Sequence, residues 1–176
     1  MSSISTNFSS LLRKTIVFVL SFLSVVCCVL PSPIVTQSPT IDSLRKSVQT
    51  AAEDSARTTA MTRLVWELRV IDPLEAITIG RNALLLLQKE NNLRKRSEVH
   101  RFLGVAYRNI GEFAKAAEEV YTALALDEQR GDSLEIGHSL NTLGRIMLLE
   151  KKIDLSSSYL HRALSLAESL RDLEFK

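Results

Sequence analysis

Residues 93–132 read LRKRSEVHRFLGVAYRNIGEFAKAAEEVYTALALDEQRGD, and this forty-residue stretch decides the fold. Apolar residues recur in its first half at the spacing of one helix face, at Val99, Leu103, Tyr107 and Ile110. A second stripe of the same period follows at Phe113, Ala116, Ala117, Val120 and Leu124. Because Gly111 separates the two stripes, the stretch predicts two helices joined by a tight turn.

The forty-residue spacing continues on both sides of this stretch. An Ala-Leu pair occurs at 83–84, 123–124 and 163–164, and a Leu-Gly pair occurs at 103–104 and 143–144. Several registers that agree on one period indicate an internal repeat. The sequence therefore predicts an all-α fold with three helix pairs, at about 55–92, 93–132 and 133–172.

Polar and small residues predict where the helices begin, end and pack. Asn91 and Gly131 suit the left-handed position that ends a helix, and Asn92 and Asp132 then suit the N-cap of the next one. Asp72 is predicted to cap a helix with Pro73 at its first position. Small side chains should let paired helices approach closely, at Gly104, Ala116 and Ala123.

The two ends of the repeat array are predicted from the same register. Residues 41–54 form a weaker amphipathic stretch, with Leu44 and Val48 on one face, and are expected to cap the array. Arg171-Asp172 holds the register of Gly131-Asp132, so residues 173–176 are expected to begin a truncated fourth unit. The face of the last complete unit would then lack a cap and favour self-association.

The N-terminal segment has the parts of an export signal. Arg13 and Lys14 precede the apolar run 15–30, and Pro31 ends it. Residues 1–30 are predicted to be a signal peptide or an uncleaved membrane anchor, and residues 31–40 a linker. Both alternatives place the helical region outside the cytoplasm, with membrane contact only through residues 15–30.

Charge and cysteine content exclude several functions. Residues 41–176 carry equal numbers of cationic and acidic side chains, which argues against nucleic-acid binding. Both cysteines, Cys27 and Cys28, lie in the N-terminal run, so the helical region has no thiolate nucleophile or zinc cluster. The histidines show no ligand spacing and no obvious carboxylate partner. We expect no catalysis, no metal and no cofactor.

The second unit resembles the tetratricopeptide repeat family in its forty-residue bacterial form. The matching residues are Leu103, Gly104, Tyr107, Gly111, Phe113, Ala116 and Ala123. The third unit departs from the pattern, with Met147, Lys151 and Ser156 in place of the tyrosine, the turn glycine and the alanine. The resemblance implies a right-handed α-solenoid of antiparallel helix pairs, whose first helices line a concave groove for a protein or peptide.

The resemblance also implies which residues face that groove. They are Glu98, Arg101, Val105, Arg108, Asn109, His138, Asn141, Arg145 and Leu148. Arg101, Arg108 and Arg145 with Asn141 could hold a carboxylate, but the favoured interpretation is three solvated arginines on amphipathic helices. Trp66 is expected to fill the gap beneath the capping helix, the alternative being a platform on which a ligand stacks.

The expected function follows from the family and the order of segments. The Asp72-Pro73 helix start resembles the first repeat of extracytoplasmic sensor regions in bacterial signalling receptors. The chain is thus expected to be the sensing or dimerisation part of a membrane signalling protein, without catalytic activity, and able to form a homodimer through its uncapped C-terminal face. The alternative is a free-standing secreted or lipid-anchored adaptor that assembles envelope proteins.

Overall fold

The computed structural model describes the backbone of residues 39–174 and the side chains of residues 40–171. The predicted signal or anchor, most of the predicted linker and the last two residues lie outside this range. The described residues form seven helices and no strand, which confirms the all-α prediction. The helices are α1 (Pro39–Thr50), α2 (Asp54–Ile71), α3 (Pro73–Glu90), α4 (Leu93–Asn109), α5 (Phe113–Arg130), α6 (Ser133–Leu149) and α7 (Ile153–Glu174).

Sequential helices pack as pairs, and each pair contacts the next. The pairs are α2 with α3, α4 with α5, and α6 with α7. The second helix of a pair contacts the first helix of the following pair. The first helices also contact one another, α2 with α4 and α4 with α6, so these three lie side by side. α1 packs on α2 and buries Ile41.

Local chemistry accounts for the helix ends. The Oδ1 atoms of Asp72, Asn92 and Asp132 accept hydrogen bonds from backbone N–H groups three residues later, at 3.0, 3.0 and 3.2 Å. Asn91 and Gly131 end α3 and α5 in the left-handed conformation, with φ of 48° and 65°. These capping predictions are confirmed.

Small residues set the distance between paired helices. Gly104 of α4 faces α5, where a Cβ on it would overlap Val120 Cγ2 and lie 3.0 Å from the carbonyl oxygen of Ala116. Ala116 and Val120 are fully buried. The predicted close approach at Gly104 is confirmed, because any larger side chain would separate α4 from α5.

A buried carboxylate fastens three helices together. Asp127 of α5 is fully buried, and it accepts hydrogen bonds from the hydroxyls of Ser97 in α4 and Ser139 in α6. Arg130 lies 3.4 Å from the same carboxylate, which pairs the buried charge. The sequence analysis did not predict this cluster.

The helix bounds correct two expectations at the ends of the array. α1 begins at Pro39, inside the predicted linker 31–40, and it ends at Thr50 rather than residue 54. Proline is favoured at the first helical position, which explains the earlier start. α7 continues through Arg171-Asp172 to Glu174, so no fourth unit begins at residue 173. Arg171 offers neither the glycine nor the asparagine that ends α5 and α3 in the left-handed conformation.

Two further features bear on surfaces. No helix in the 39–174 range is long and apolar enough to cross a membrane. Leu160 and Leu164 of α7 are 38% and 55% exposed, beside exposed Leu134 of α6. The outward face of the third helix pair is therefore apolar.

Candidate binding groove

The three first helices, α2, α4 and α6, line a groove with two adjoining sections. The larger, about 700 Å³, extends to α1 and contains both acidic and basic side chains; we call it the mixed section. The smaller, about 320 Å³, contains four arginines and no acidic residue; we call it the arginine section. Trp66, Arg101, Phe102 and His138 belong to both sections, which are thus continuous.

Seven of the nine predicted groove residues line these sections. They are Glu98, Arg101, Val105, Arg108, His138, Asn141 and Arg145. Asn109 does not line them, because its side-chain amide donates a 2.8 Å hydrogen bond to the carbonyl oxygen of Arg69 and ties α4 to α2. Leu148 lies beyond the groove in the last turn of α6, where the turn into α7 brings Ile153 and Leu160 beside it.

Arg101 is not available as part of a carboxylate clamp. Its guanidinium forms an ion pair with Glu135 of α6, and its side chain is only 12% exposed. Arg94 reaches the same carboxylate at 4.0 Å and also pairs with Glu98 at 3.2 Å. The charges of the mixed section largely compensate one another. Arg101 is therefore neither the solvated arginine that the sequence analysis favoured nor free to join Arg108 and Arg145 in a carboxylate clamp.

Three arginines of the arginine section have no carboxylate partner. Within the described residues, no carboxylate lies within 4.0 Å of the guanidinium groups of Arg69, Arg108 or Arg145. Arg69 stacks on the indole of Trp66, with its guanidinium carbon 3.1 Å from the ring centroid. Arg108 donates to the side-chain oxygen of its neighbour Asn109 at 3.1 Å. These contacts orient the guanidinium groups without neutralising them.

Burial and mutual repulsion act on these arginines. Burial lowers the pKa of Arg108, and the nearby charge of Arg145 lowers it further. Burial is also the main cause that lowers the pKa of Arg69, with further contributions from Arg108 and Arg101 that Glu67 partly opposes. Both groups stay protonated, so the section holds like charges that an anion would stabilise.

Trp66 and Arg69 are groove residues that the sequence analysis did not place there. Trp66 is 44% exposed, and its ring lies 4.9 Å from that of Phe102. The expectation that it fills the gap beneath the capping helix is therefore wrong. A signal was present, because aligning Leu68 with Tyr107 puts Arg69 opposite Arg108 and Trp66 opposite the groove residue Val105.

A separate polar cluster lies on the α3–α5 side. His100 Nδ1 is 2.7 Å from Glu119 Oε2, so His100 has the carboxylate partner that the sequence did not reveal. Arg81 pairs with Glu119 at 3.2 Å and donates to the hydroxyl of Tyr107 at 3.0 Å. These contacts join three helices. Among the described residues, no group of three or more His, Cys, Asp or Glu side chains could hold a metal ion.

Comparison with known proteins shows a likeness to a solved structure. No family model matches the sequence, and no curated protein matches it. Among solved structures, the chain is similar to the crystal structure of BtubC (BKLC) from P. vanneervenii, with a TM-score of 0.66 and 22% sequence identity. The match covers 80% of this chain and 59% of that chain. This chain thus spans less than two thirds of BtubC's length, and the likeness concerns the helical fold alone.

Proposed function

We propose that the chain is a non-catalytic protein-interaction module. Its helix pairs form a right-handed α-solenoid of the tetratricopeptide type, and the groove along α2, α4 and α6 binds a protein or peptide. The contacts of each first helix with the next support the solenoid. The likeness to BtubC supports the helical arrangement only.

The groove itself is the observation that carries the proposal. It is continuous across three repeat units and presents exposed Trp66 beside Arg69 and Arg108. Tryptophan and arginine are the residues that most often dominate the energy of protein interfaces, because they combine large contact area with directed hydrogen bonds.

The cellular part of the proposal rests on the order of segments in the sequence. We place the module outside the cytoplasm, in the periplasm, as the sensing or dimerisation part of a bacterial membrane signalling protein. Residues 1–30 would direct its export, and the apolar face of α6 and α7 would contact a second copy. Exposed Leu134, Leu160 and Leu164 support that contact surface.

The groove proposal is tested by blocking the groove without changing its charge. We expect the full chain to select peptides from an unbiased display library, and Asn141→Trp to abolish their binding because the indole would fill the section between α4 and α6. Gln129→Trp, at an exposed position of α5, is the matched control and should bind the selected peptides as the unmodified chain does. Selected peptides that bind both variants equally, or a library that yields none, would contradict the proposed function.

Export is tested separately. Fusing residues 1–40 to a reporter active only outside the cytoplasm should give activity, and replacing Phe18 and Leu20 with aspartate should abolish it, because charges interrupt the apolar run that the export machinery recognises. Replacing Ser2 and Ser3 with aspartate, outside that run, is the control. Reporter activity that survives the charges at 18 and 20 would mean that the segment is not an export signal.

A further inference from the structure

The turns within the three helix pairs lie along one edge of the described structure. The side-chain amide of Asn109 donates to the carbonyl oxygen of Arg69, so the ends of α2 and α4 are aligned. Val70, Arg108 and Arg145 line the same section of the groove, which aligns the end of α6 with them. We give the name turn edge to these three turns, residues 70–74, 109–112 and 148–155.

Large apolar side chains are exposed along the turn edge in repeat register. With Leu68, Tyr107 and Met147 aligned, Val70 matches Leu149, and Ile71 matches Ile110. These four side chains are between 38% and 62% exposed. A row on one edge marks an interaction surface, whereas single exposed apolar residues are ordinary. Four more large apolar side chains are exposed at this edge, Leu74, Leu148, Ile153 and Leu155.

α1 begins at the same edge. Ile41, in its first turn, is buried beside Leu68 and Ala76, which flank the turn between α2 and α3. Arg45 then pairs with Glu75 in the first turn of α3 at 2.7 Å. The chain that precedes α1, with its apolar run 15–30, is therefore joined to the helical array at the turn edge.

We propose that the turn edge lies on the surface of a lipid bilayer, an inference that rests on the membrane placement in the proposed function. It adds a second membrane contact to the one predicted for residues 15–30. The edge at the attachment point meets a bilayer first, because the length of α2 and α3 places the opposite edge about 27 Å away. Its aliphatic side chains would be buried at the boundary between headgroups and acyl chains.

The charges of the turn edge leave a cation at its tip. Two carboxylates, Asp72 and Asp154, lie at helix N-termini, where the helix dipole stabilises them. Lys151 is exposed in the turn between α6 and α7, and no carboxylate of the described residues lies within 4.0 Å of it. A lipid phosphate would give it a partner. The other carboxylates are in ion pairs, Glu75 with Arg45, Glu112 with Lys115 and Glu150 with Lys152.

A bilayer suits this edge better than a folded partner. The apolar side chains project from three separate turns, so a protein would need a matching row of pockets to bury them. A fluid lipid surface adapts to each turn. On the opposite edge, where the turns between successive pairs lie, Leu134 is the only exposed large apolar side chain among the described residues. The two edges thus differ as a membrane-facing and a solvent-facing edge should.

The test measures sedimentation of the full chain with vesicles of phosphatidylcholine and phosphatidylglycerol. Every protein compared carries Phe18→Asp and Leu20→Asp, so that the apolar run does not insert. We expect this chain to bind the vesicles. Leu74→Gln with Leu149→Gln should raise the Kd by at least about tenfold, because both side chains lose their burial in lipid.

The matched control changes two leucines of similar exposure elsewhere. Leu85 and Leu134 are 61% and 56% exposed, against 66% and 51% for Leu74 and Leu149. Leu85→Gln with Leu134→Gln should leave the Kd within about twofold. Equal loss in both double variants, or no vesicle binding by the starting chain, would overturn the inference.

A second measurement reads the orientation of the chain with its apolar run intact. Cys27 and Cys28 are replaced by serine, and an environment-sensitive fluorophore is attached at Leu149→Cys or at Gln129→Cys. Gln129 is exposed in the last turn of α5, at the opposite edge. In vesicles of brominated lipid, the fluorophore at position 149 should be quenched and that at position 129 should not. Equal quenching at the two positions would contradict the proposal.

Failure of the lipid contact and failure of the proposed function are distinguishable. If vesicle binding ignores Leu74→Gln with Leu149→Gln while Asn141→Trp still blocks peptides, the proposed function stands and the lipid contact fails. The inference is also wrong if that leucine pair dissociates a dimer in light scattering without changing vesicle binding, since the edge would then contact a second copy. Vesicle binding through the edge without export of the 1–40 reporter would support the lipid contact and overturn the cellular part of the proposed function.

Discussion

Replacing Asp127 with alanine should lower the free energy of unfolding by about 2–4 kcal/mol. The hydroxyls of Ser97 and Ser139 would lose their shared acceptor at fully buried positions, and each unsatisfied buried group costs about 1–3 kcal/mol. Arg130 would lose little, because it is partly exposed and keeps its 2.7 Å ion pair with Asp132. Urea denaturation monitored by circular dichroism measures the change.

Two variants separate this cluster from a general charge effect. Asp127→Asn keeps an oxygen acceptor and nearly the same volume, so it should lose less than Asp127→Ala. Glu128→Ala removes the neighbouring exposed carboxylate, which lies 3.9 Å from Arg162, and should stay within about 0.5 kcal/mol. A similar loss for Asp127→Ala and Glu128→Ala would show that the buried cluster does not fasten α4, α5 and α6.

The helix ends were predictable where the chemistry is local. The caps at Asp72, Asn92 and Asp132 depend only on a side chain and a backbone N–H three residues away, so the sequence contains the whole interaction. The expected end at Arg171-Asp172 rested on register alone. A repeat register shows where a unit could end, but Arg171 lacks the preference for the left-handed conformation that Gly131 and Asn91 have at the ends of α5 and α3.

The groove was predictable in position but not in charge. The family resemblance implied Arg108 and Arg145 as groove residues, and both line the groove. Carrying the groove positions onto the first unit, with Leu68 aligned to Tyr107, would have added Arg69. The pairing of Arg101 was not accessible from the sequence, because Glu135 lies 34 residues away on another repeat unit. Which arginine is neutralised depends on packing between units, and this decides where the groove is positive.

The last prediction concerns the close contact between α4 and α5. Gly104→Ala should lower the free energy of unfolding by about 2–3 kcal/mol, because its Cβ would overlap Val120, which is fully buried and cannot move aside. Alanine favours a helix over glycine by about 1 kcal/mol, so the steric cost must exceed that gain.

Two other helical glycines make the argument quantitative. Gly144→Ala should cost less than Gly104→Ala, because its Cβ would meet Leu160, a partly exposed side chain that can rotate away. Gly137→Ala should instead stabilise by about 0.5–1 kcal/mol, since nothing lies within 4 Å of its Cβ. Thermal or urea unfolding of the three variants should therefore give two losses and one gain. If Gly104→Ala were as stable as Gly137→Ala, glycine would not set the spacing of α4 and α5, and the repeat's Leu-Gly pair would need another explanation.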